Sequence, residues 1–242
     1  MLSSSSPRTR PMVALRALGA LSKDPDDLPQ VFTIIDNLPG RSPQRMLARM
    51  RSTEEGRRLL ATKPDLGARL ADREALRALP EGTLGRAYLA LAEREGITPQ
   101  GIIDASLAGG ASTETLSDDM RFLRDRMRDT HDLWHVVSGY GLDLVGESAL
   151  LSFSYAQTRN PGVGLVVFLA VIKGEPKIWR VLREGYRRGM RAEWLPGIAW
   201  ETLLDRPLDE VRARLRVGAR ADYEPVTSAE LRANGDLAPR AA

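Results

Sequence analysis

The chain has 242 residues, of which 43% are hydrophobic and 28% charged, with a net charge of +3 and no cysteine. That length and balance fit one large domain, or two small ones, with a real apolar core. The lack of cysteine excludes disulfides, thiolate metal sites and cysteine nucleophiles, and so mild a positive charge lacks the concentrated basic face of a nucleic-acid binder, so no nucleic-acid partner is expected.

No linker divides the chain, and helical patterns recur almost throughout without hairpin chemistry. We therefore expect an all-α, single-domain helical bundle over residues 12–217, with loosely ordered termini at 1–11 and 218–242. Residues 12–21 (MVALRALGAL) read as an amphipathic first helix rather than a targeting peptide, because the run is short, contains Arg16 and lacks a small-residue cleavage pattern. A helix is expected over 28–38, ending in the turn Asn37-Leu38-Pro39-Gly40. Ser52-Thr53-Glu54-Glu55 has the form of a capping box, with Ser52 as N-cap and Glu55 at N3, opening a short helix over 53–62. Another helix is expected from about 65 to 78, and one over 82–95 that stops at Gly96. Thr98-Pro99 supplies an N-cap and a proline at N1 for the next, which Gly109-Gly110 ends.

The following helix carries the chemistry. Leu116, Met120, Leu123, Met127, His131, Trp134 and Ser138 are spaced by threes and fours and form one helical face. His131 continues this apolar stripe inward, with His135 about 40° and Asp132 about 100° around the helix from it. Arg121, Arg124 and Arg128 fall off the stripe, as a solvated face would. Glu147 cannot share an ion with His135 on a straight helix, since twelve residues of rise place it roughly 18 Å away. The chain must turn back, and Gly139, Gly141 and Gly146, with Asp143 as N-cap, supply the means. The predicted unit is helix, glycine turn, helix, with Glu147 in the first turn of a second helix that runs to about Gln157. Asn160-Pro161-Gly162 breaks it.

Residues 162–172 are the most apolar stretch, well short of the roughly 20 residues of a membrane span; a buried helix or a membrane-dipping surface is expected. Gly174-Glu175-Pro176 opens a long amphipathic helix. Ile178, Val181, Leu182, Gly185, Tyr186, Gly189 and Met190 form its inner face, and Lys177, Arg180, Arg183, Arg187, Arg188 and Arg191 its basic outer face. That face is either simply solvated or in contact with anionic lipid headgroups. Pro207 begins a last helix, LDEVRARLRV.

The only two histidines of the chain, at i and i+4, form a helical metal clamp, and Glu147 completes a two-histidine, one-carboxylate set that leaves coordination positions open. Asp132 is a fourth ligand, a partner orienting an imidazole, or a base. The pattern departs from the HExxH of zinc peptidases, because aspartate stands where glutamate would activate water. There is no GxGxxG fingerprint and no P-loop, and any Ser/His/Asp triad would have to use the same two histidines.

The run His131-Asp132-x-x-His135, eleven residues and Glu147 resembles the signature of the Coq-four family of ubiquinone (coenzyme Q) biosynthesis proteins. The likeness extends to DPDDLPQVFTIIDNLPG near the N-terminus, LGRAYLALAEREGITP (84–99), residues 121–150, AQTRNPG (156–162) and PLDEVRARL (207–215), covering roughly 12–217. The resemblance implies an all-helical protein, peripheral on a membrane, that binds a divalent metal through His131, Asp132, His135 and Glu147. Zinc is the metal usually associated with the family, while iron, cobalt or manganese would better suit oxidative chemistry. It further implies an enzyme that removes the ring carboxyl of a polyprenylated 4-hydroxybenzoate-derived precursor with hydroxylation at C1, those four residues being its catalytic set. The alternative it implies is a lipid-binding scaffold for other quinone-biosynthesis proteins, with a structural metal. A homodimer fits either. The short stretch before the family-like region leaves little room for a presequence. The expected location is therefore the bacterial cytoplasm, at the inner membrane, or the matrix side of the mitochondrial inner membrane in a eukaryote.

Overall fold

Short helices joined by tight turns follow one another along the described residues of the computed structural model, which are 9–109, 116–174 and 176–237. In order they are α1 (Pro11–Leu21), α2 (Leu28–Asn37), α3 (Ser42–Ser52), α4 (Glu54–Thr62), α5 (Leu66–Ala71), α6 (Arg73–Ala78), α7 (Leu84–Glu95), α8 (Pro99–Ala108), α9 (Asp118–Asp129), α10 (His131–Ser138), α11 (Leu144–Thr158), α12 (Pro161–Lys173), α13 (Pro176–Arg191), α14 (Leu208–Arg214) and α15 (Ser228–Ala233). Among the described residues there is no strand, only an isolated bridge between Thr83 and Pro207. The fold is the all-α single domain that the periodicity predicts.

Local chemistry explains most boundaries. Thr83, Thr98, Ser117, Asp143, Asn160 and Thr227 each accept a backbone N–H in the first turn of the helix they open, satisfying donors that a helix start otherwise leaves orphaned. Gly96 and Gly139 end their helices in the left-handed region, at φ 66° and 76°, where a residue with a Cβ is strained.

Several details differ from the sequence reading. The cap of α4 is Thr53, which accepts from the amide of Gly56 at 3.1 Å. Ser52 instead closes α3, and Glu55 accepts from the Ala199 amide at 2.8 Å rather than completing a capping box. The expected helix over 65–78 is two, because Asp72 turns out of the helix and caps Ala75. Helix α3, not among the expected helices, buries Met46, Leu47 and Met50 as a stripe. Gly110 and Glu175, two of the expected punctuation points, lie outside the described residues, as do 1–8 and 238–242. The segment after Gly218, expected to be loosely ordered, carries α15 and packs back on the bundle between 219 and 237 through the bonds described below.

The core centres on Trp134, Phe153, Leu133, Leu150, Tyr88 and Trp200. Helix α11 is its spine. Helix α13 lies directly on α11 because Gly185 and Gly189 leave room for the Ala149 and Phe153 carbonyls, which a Cβ at either position would strike. Arg188, assigned to the solvated face, is buried on this inner side. It donates to the carbonyls of Val217 (3.0 Å), Ser138 (2.8 Å) and Ala219 (2.7 Å). Its aliphatic stem packs in the core while three carbonyls satisfy the guanidinium. Arg124 and Arg128 are likewise not solvated: Arg124 bonds Asp36 and Ser106, and Arg128 bonds Asp125 and Asp129. Helix α12 buries Gly162, Val163 and Val166 but leaves Phe168 and Ile172 exposed. No helix among the described residues is long and apolar enough to cross a membrane.

Candidate metal centre

The chain reverses between His135 and Glu147 as the rise argument requires. Gly139 ends α10, and Asp143 opens α11 by accepting from the amides of Val145 and Gly146, both at 3.1 Å. Glu147 therefore stands in the first turn of α11, facing back to α10. His135 Nε2 lies 3.3 Å from Glu147 Oε1, and His131 Nε2 lies 3.9 Å from Glu147 Oε2. One donor atom from each of the three residues falls within 4.8 Å of the others. The two imidazoles meet edge to face, 4.8 Å between centroids.

Each imidazole is oriented through its other nitrogen. His135 Nδ1 lies 3.0 Å from the Tyr140 carbonyl. That oxygen can only accept, so Nδ1 carries a proton and Nε2 is the nitrogen left to face a metal. His131 Nδ1 lies 3.3 Å from Asp132 Oδ1. The structure thus brings His131, His135 and Glu147 together and sets Asp132 on the far side of the His131 ring, where it steadies that ring.

These groups fit a cation. His135 Nε2 is buried and has no hydrogen-bond partner, yet it faces a carboxylate oxygen. This nitrogen and carboxylate, held face to face in a buried site, need a positive charge between them, which either a proton on Nε2 or a metal ion supplies. Donors each about 2.0 Å from one tetrahedral ion stand about 3.3 Å apart, the His135–Glu147 separation. His135 is wholly buried, while His131 and Glu147 keep about a third of their side chains exposed, so the site opens on one side.

Burial pushes Glu147 upward, but the facing histidines outweigh it and the carboxyl ends below its ordinary pKa. Burial pushes His131 down, but its bond to Asp132 and the charges of Glu147 and Asp132 outweigh that, and the imidazole ends raised. Burial, then the Asp132 charge, pushes the nearby Tyr88 phenol far up.

The open side gives onto a cavity of about 1360 Å³, whose walls include His131, Asp132 and Glu147. Beyond the metal residues its lining is mostly aliphatic and aromatic, with Phe32, Leu123, Leu151 and Val166 among the side chains, and Lys173 and Lys177 stand at the α12–α13 end. It exceeds the roughly 300–1,000 Å³ of ordinary small-molecule pockets. Sequence reasoning missed two residues that shape the turn beside the ligands: Arg188, which holds the Ser138 carbonyl, and Tyr223. The Tyr223 hydroxyl accepts from the Gly141 amide at 2.7 Å and donates to Asp143 Oδ2 at 2.6 Å. Burial and the bond to Asp143 hold that hydroxyl protonated well above the usual range.

Residues 12–220 match the family model described as Coenzyme Q (ubiquinone) biosynthesis protein Coq4. The mitochondrial ubiquinone biosynthesis protein COQ4 of Ajellomyces dermatitidis is 30% identical over 188 residues, covering 75% of this chain and 63% of that protein. The COQ4 protein of Uncinocarpus reesii is 30% identical over 187 residues, covering 75% and 64% respectively. The chain thus spans a little under two thirds of the length of these curated relatives. A crystal structure from Nostoc punctiforme PCC 73102, of a protein provisionally assigned to ubiquinone biosynthesis, matches with a TM-score of 0.64 at 24% identity, over 86% of this chain and 96% of that one. That likeness bears on the fold.

Proposed function

From the premise that the chain belongs to the coenzyme Q (ubiquinone) biosynthesis protein Coq4 family, we propose that it is a metal-dependent enzyme acting on a polyprenylated aromatic precursor of the quinone. The reaction is loss of the ring carboxyl as carbon dioxide with hydroxylation of the same carbon; one dioxygen and one water are consumed, dioxygen takes up the two electrons released, and hydrogen peroxide leaves with the carbon dioxide. One observation carries this reading: His131 and Glu147 of the His131–His135–Glu147 group stand in the wall of a large, mostly apolar cavity. Such a cavity suits a ring headed by a carboxylate and trailed by an isoprenoid tail.

His131, His135 and Glu147 would hold the metal, which when bound supplies Lewis-acid polarisation of the ring carboxylate and its neighbouring phenolic oxygen. Asp132 keeps the proton on His131 Nδ1 and so aims Nε2 at the site, and the Tyr140 carbonyl does the same for His135. Such orienting partners strengthen and position metal ligands. Leu123, Leu151 and Val166 exclude water from the tail and from the ring beside it.

The cavity reaches the membrane-facing side we assign to α12 and α13. Phe168 and Ile172 are exposed on α12 and Trp179 on α13, next to the exposed Arg180 and Arg183. Trp179 Nε1 donates to the Val171 carbonyl at 2.8 Å, tying the two helices together there. Apolar side chains and an interfacial tryptophan among cations are the make-up of a peripheral docking surface on anionic lipid. Lys173 and Lys177, on the same helices, line the cavity, so a tail leaving the bilayer finds the pocket directly.

The test is turnover. Purified protein loaded with zinc, iron, cobalt or manganese in turn is incubated with the carboxylated prenyl precursor and oxygen, and the products are read by mass spectrometry. The C1-hydroxylated, decarboxylated ring is expected with at least one metal and absent in His135→Ala. Formation of that product by His135→Ala at the wild-type rate would show that the metal site is not catalytic and leave the protein a binding or scaffold role.

A further inference from the structure

The family match ends at residue 220, yet the segment that follows is built into both the metal site and the cavity. Ala221 donates from its amide to the Ser138 carbonyl at 3.1 Å. Two residues on, the Tyr223 hydroxyl sits between the Gly141 amide and the Asp143 carboxylate, and its ring packs on Tyr140 with centroids 5.8 Å apart. Val226 then pairs with the start of α11: the Leu144 amide donates to its carbonyl at 2.9 Å, and its own amide donates to Asp143 Oδ1 at 3.1 Å. From there the chain crosses the cavity, contributing Val226, Leu231 and Leu237 to its wall. It is fastened on the far side where Ser228 bonds Asp26 at 2.7 Å and Arg232 bonds Asp26 at 2.9 Å and Asp24 at 2.8 Å.

The glycines of the turn are shaped to this segment. Neither Gly141 nor Gly146 has a positive φ, so neither is there for backbone freedom. A Cβ on Gly146 would strike the Tyr223 hydroxyl and the Gly141 carbonyl, and one on Gly141 would stand 3.0 Å from that hydroxyl. Gly141 and Gly146 therefore make the socket, and Tyr223 is the plug. Asp143, which caps α11 and so sets the height of Glu147, is held by the plug at one oxygen and by the Val226 amide at the other.

We propose that residues 221–237 form a strap over the cavity, and that Tyr223 is a positioning residue through which the strap, when seated, holds Asp143 and hence Glu147 in place for the metal. Tyr223 touches neither substrate nor metal; it acts through Asp143. Release of the strap at Arg232 opens the cavity, and release at Tyr223 loosens the carboxylate ligand. This rests on the metal reading of His131, His135 and Glu147 given above.

The test uses the full chain loaded with cobalt(II), whose bound fraction is followed by absorption during transfer to excess EDTA. Tyr223→Phe keeps the ring and removes only the hydroxyl. It should release cobalt about tenfold faster than wild type, and the amides of 141–147 should exchange hydrogen faster while those of α7 stay unchanged. Arg232→Ala should admit the fluorescent fatty acid cis-parinaric acid to the cavity several-fold faster. Release of cobalt from Tyr223→Phe at the wild-type rate, with wild-type loading, would overturn the positioning role while leaving the metal site intact. Unchanged probe uptake by Arg232→Ala would overturn the strap as a closure. A wild-type chain that takes up no cobalt would overturn the metal reading itself. Amide exchange in Tyr223→Phe would then decide whether the plug still orders the turn, and unchanged exchange there would overturn it.

Discussion

The Tyr223 hydroxyl occupies the space that a Cβ on Gly146 would fill, one residue before the Glu147 carboxylate. A residue near the end of the chain thereby sets the geometry of a ligand in its middle. Gly146→Ala should cost about 1–3 kcal/mol of stability, as overpacking does, and should weaken metal binding as well. Tyr223→Phe in the same chain should recover only part of the loss, because the Gly141 carbonyl also stands in that space. Urea unfolding of the single and double variants measures both effects.

Asp132 touches His131 rather than joining the group of three donors. Asp132→Asn should therefore lower metal affinity by about 10–100-fold, the usual loss on removing an orienting partner, and keep a stoichiometry of one ion. Glu147→Gln and His135→Ala should abolish binding in the same calorimetric titration. Complete loss in Asp132→Asn as well would make Asp132 a ligand.

Arg188 bridges the end of α10, the turn at Val217 and Ala219, two residues before the strap. Arg188→Met should be among the most damaging single changes, since it strands the Val217 and Ala219 carbonyls, at about 1–3 kcal/mol for each that stays buried and unpaired, while the Ser138 carbonyl keeps only the Ala221 amide. Arg188→Lys should recover only part, because one ammonium cannot reproduce the spread of the guanidinium. Thermal melting of the three proteins checks this order.

Asp119 ties the start of α9 to Arg51 at 2.8 Å and Lys63 at 3.0 Å. The hydrogen bond from Arg51 is the main reason its pKa lies below the ordinary carboxylate value. A carboxylate depressed on folding stabilises the protein above its unfolded pKa, and that contribution disappears as pH falls through the folded value. Wild-type stability should thus fall on acidification below about pH 4, and Asp119→Asn should flatten that part of the profile. Urea unfolding between pH 2.5 and 6 tests the sign.

Phe168 and Ile172 are exposed on the face of α12 assigned to lipid. Burying one such side chain is worth about 1.5–3 kcal/mol, so Phe168→Ser with Ile172→Ser should reduce binding to vesicles containing anionic lipid at least about tenfold. Zwitterionic vesicles should bind the wild type more weakly, and salt should weaken the anionic case. Equal co-sedimentation of wild type and double variant would remove this face as the docking site.

The helices and the metal turn were legible for a simple reason: helical periodicity is local, and the rise of a helix forbids His135 and Glu147 from meeting without a reversal. What escaped depends on contacts far apart in sequence. Gly141 and Gly146 look like turn glycines until Tyr223 is seen in the space beside them. Arg188 looks like one more arginine of a basic face until the carbonyls of Ser138, Val217 and Ala219 are found around it; its spacing from Gly185 was the available clue. Arg124 faces Asp36 and Ser106 across the cavity wall, and no periodicity reports a cavity. Even α3 carried a readable stripe in Met46, Leu47 and Met50, masked by Arg45, Arg49 and Arg51 among and around them.

The proposed encounter is between the substrate carboxylate and a metal held by His131, His135 and Glu147 beside the apolar cavity. Visible absorption of the cobalt(II)-substituted protein tests it most directly. One equivalent of cobalt should give ligand-field bands that are lost in His135→Ala, and these bands should shift on adding the carboxylated prenyl precursor but not its decarboxylated counterpart. Bands that persist in His135→Ala, or that ignore the carboxylated precursor at saturating concentration, would contradict it.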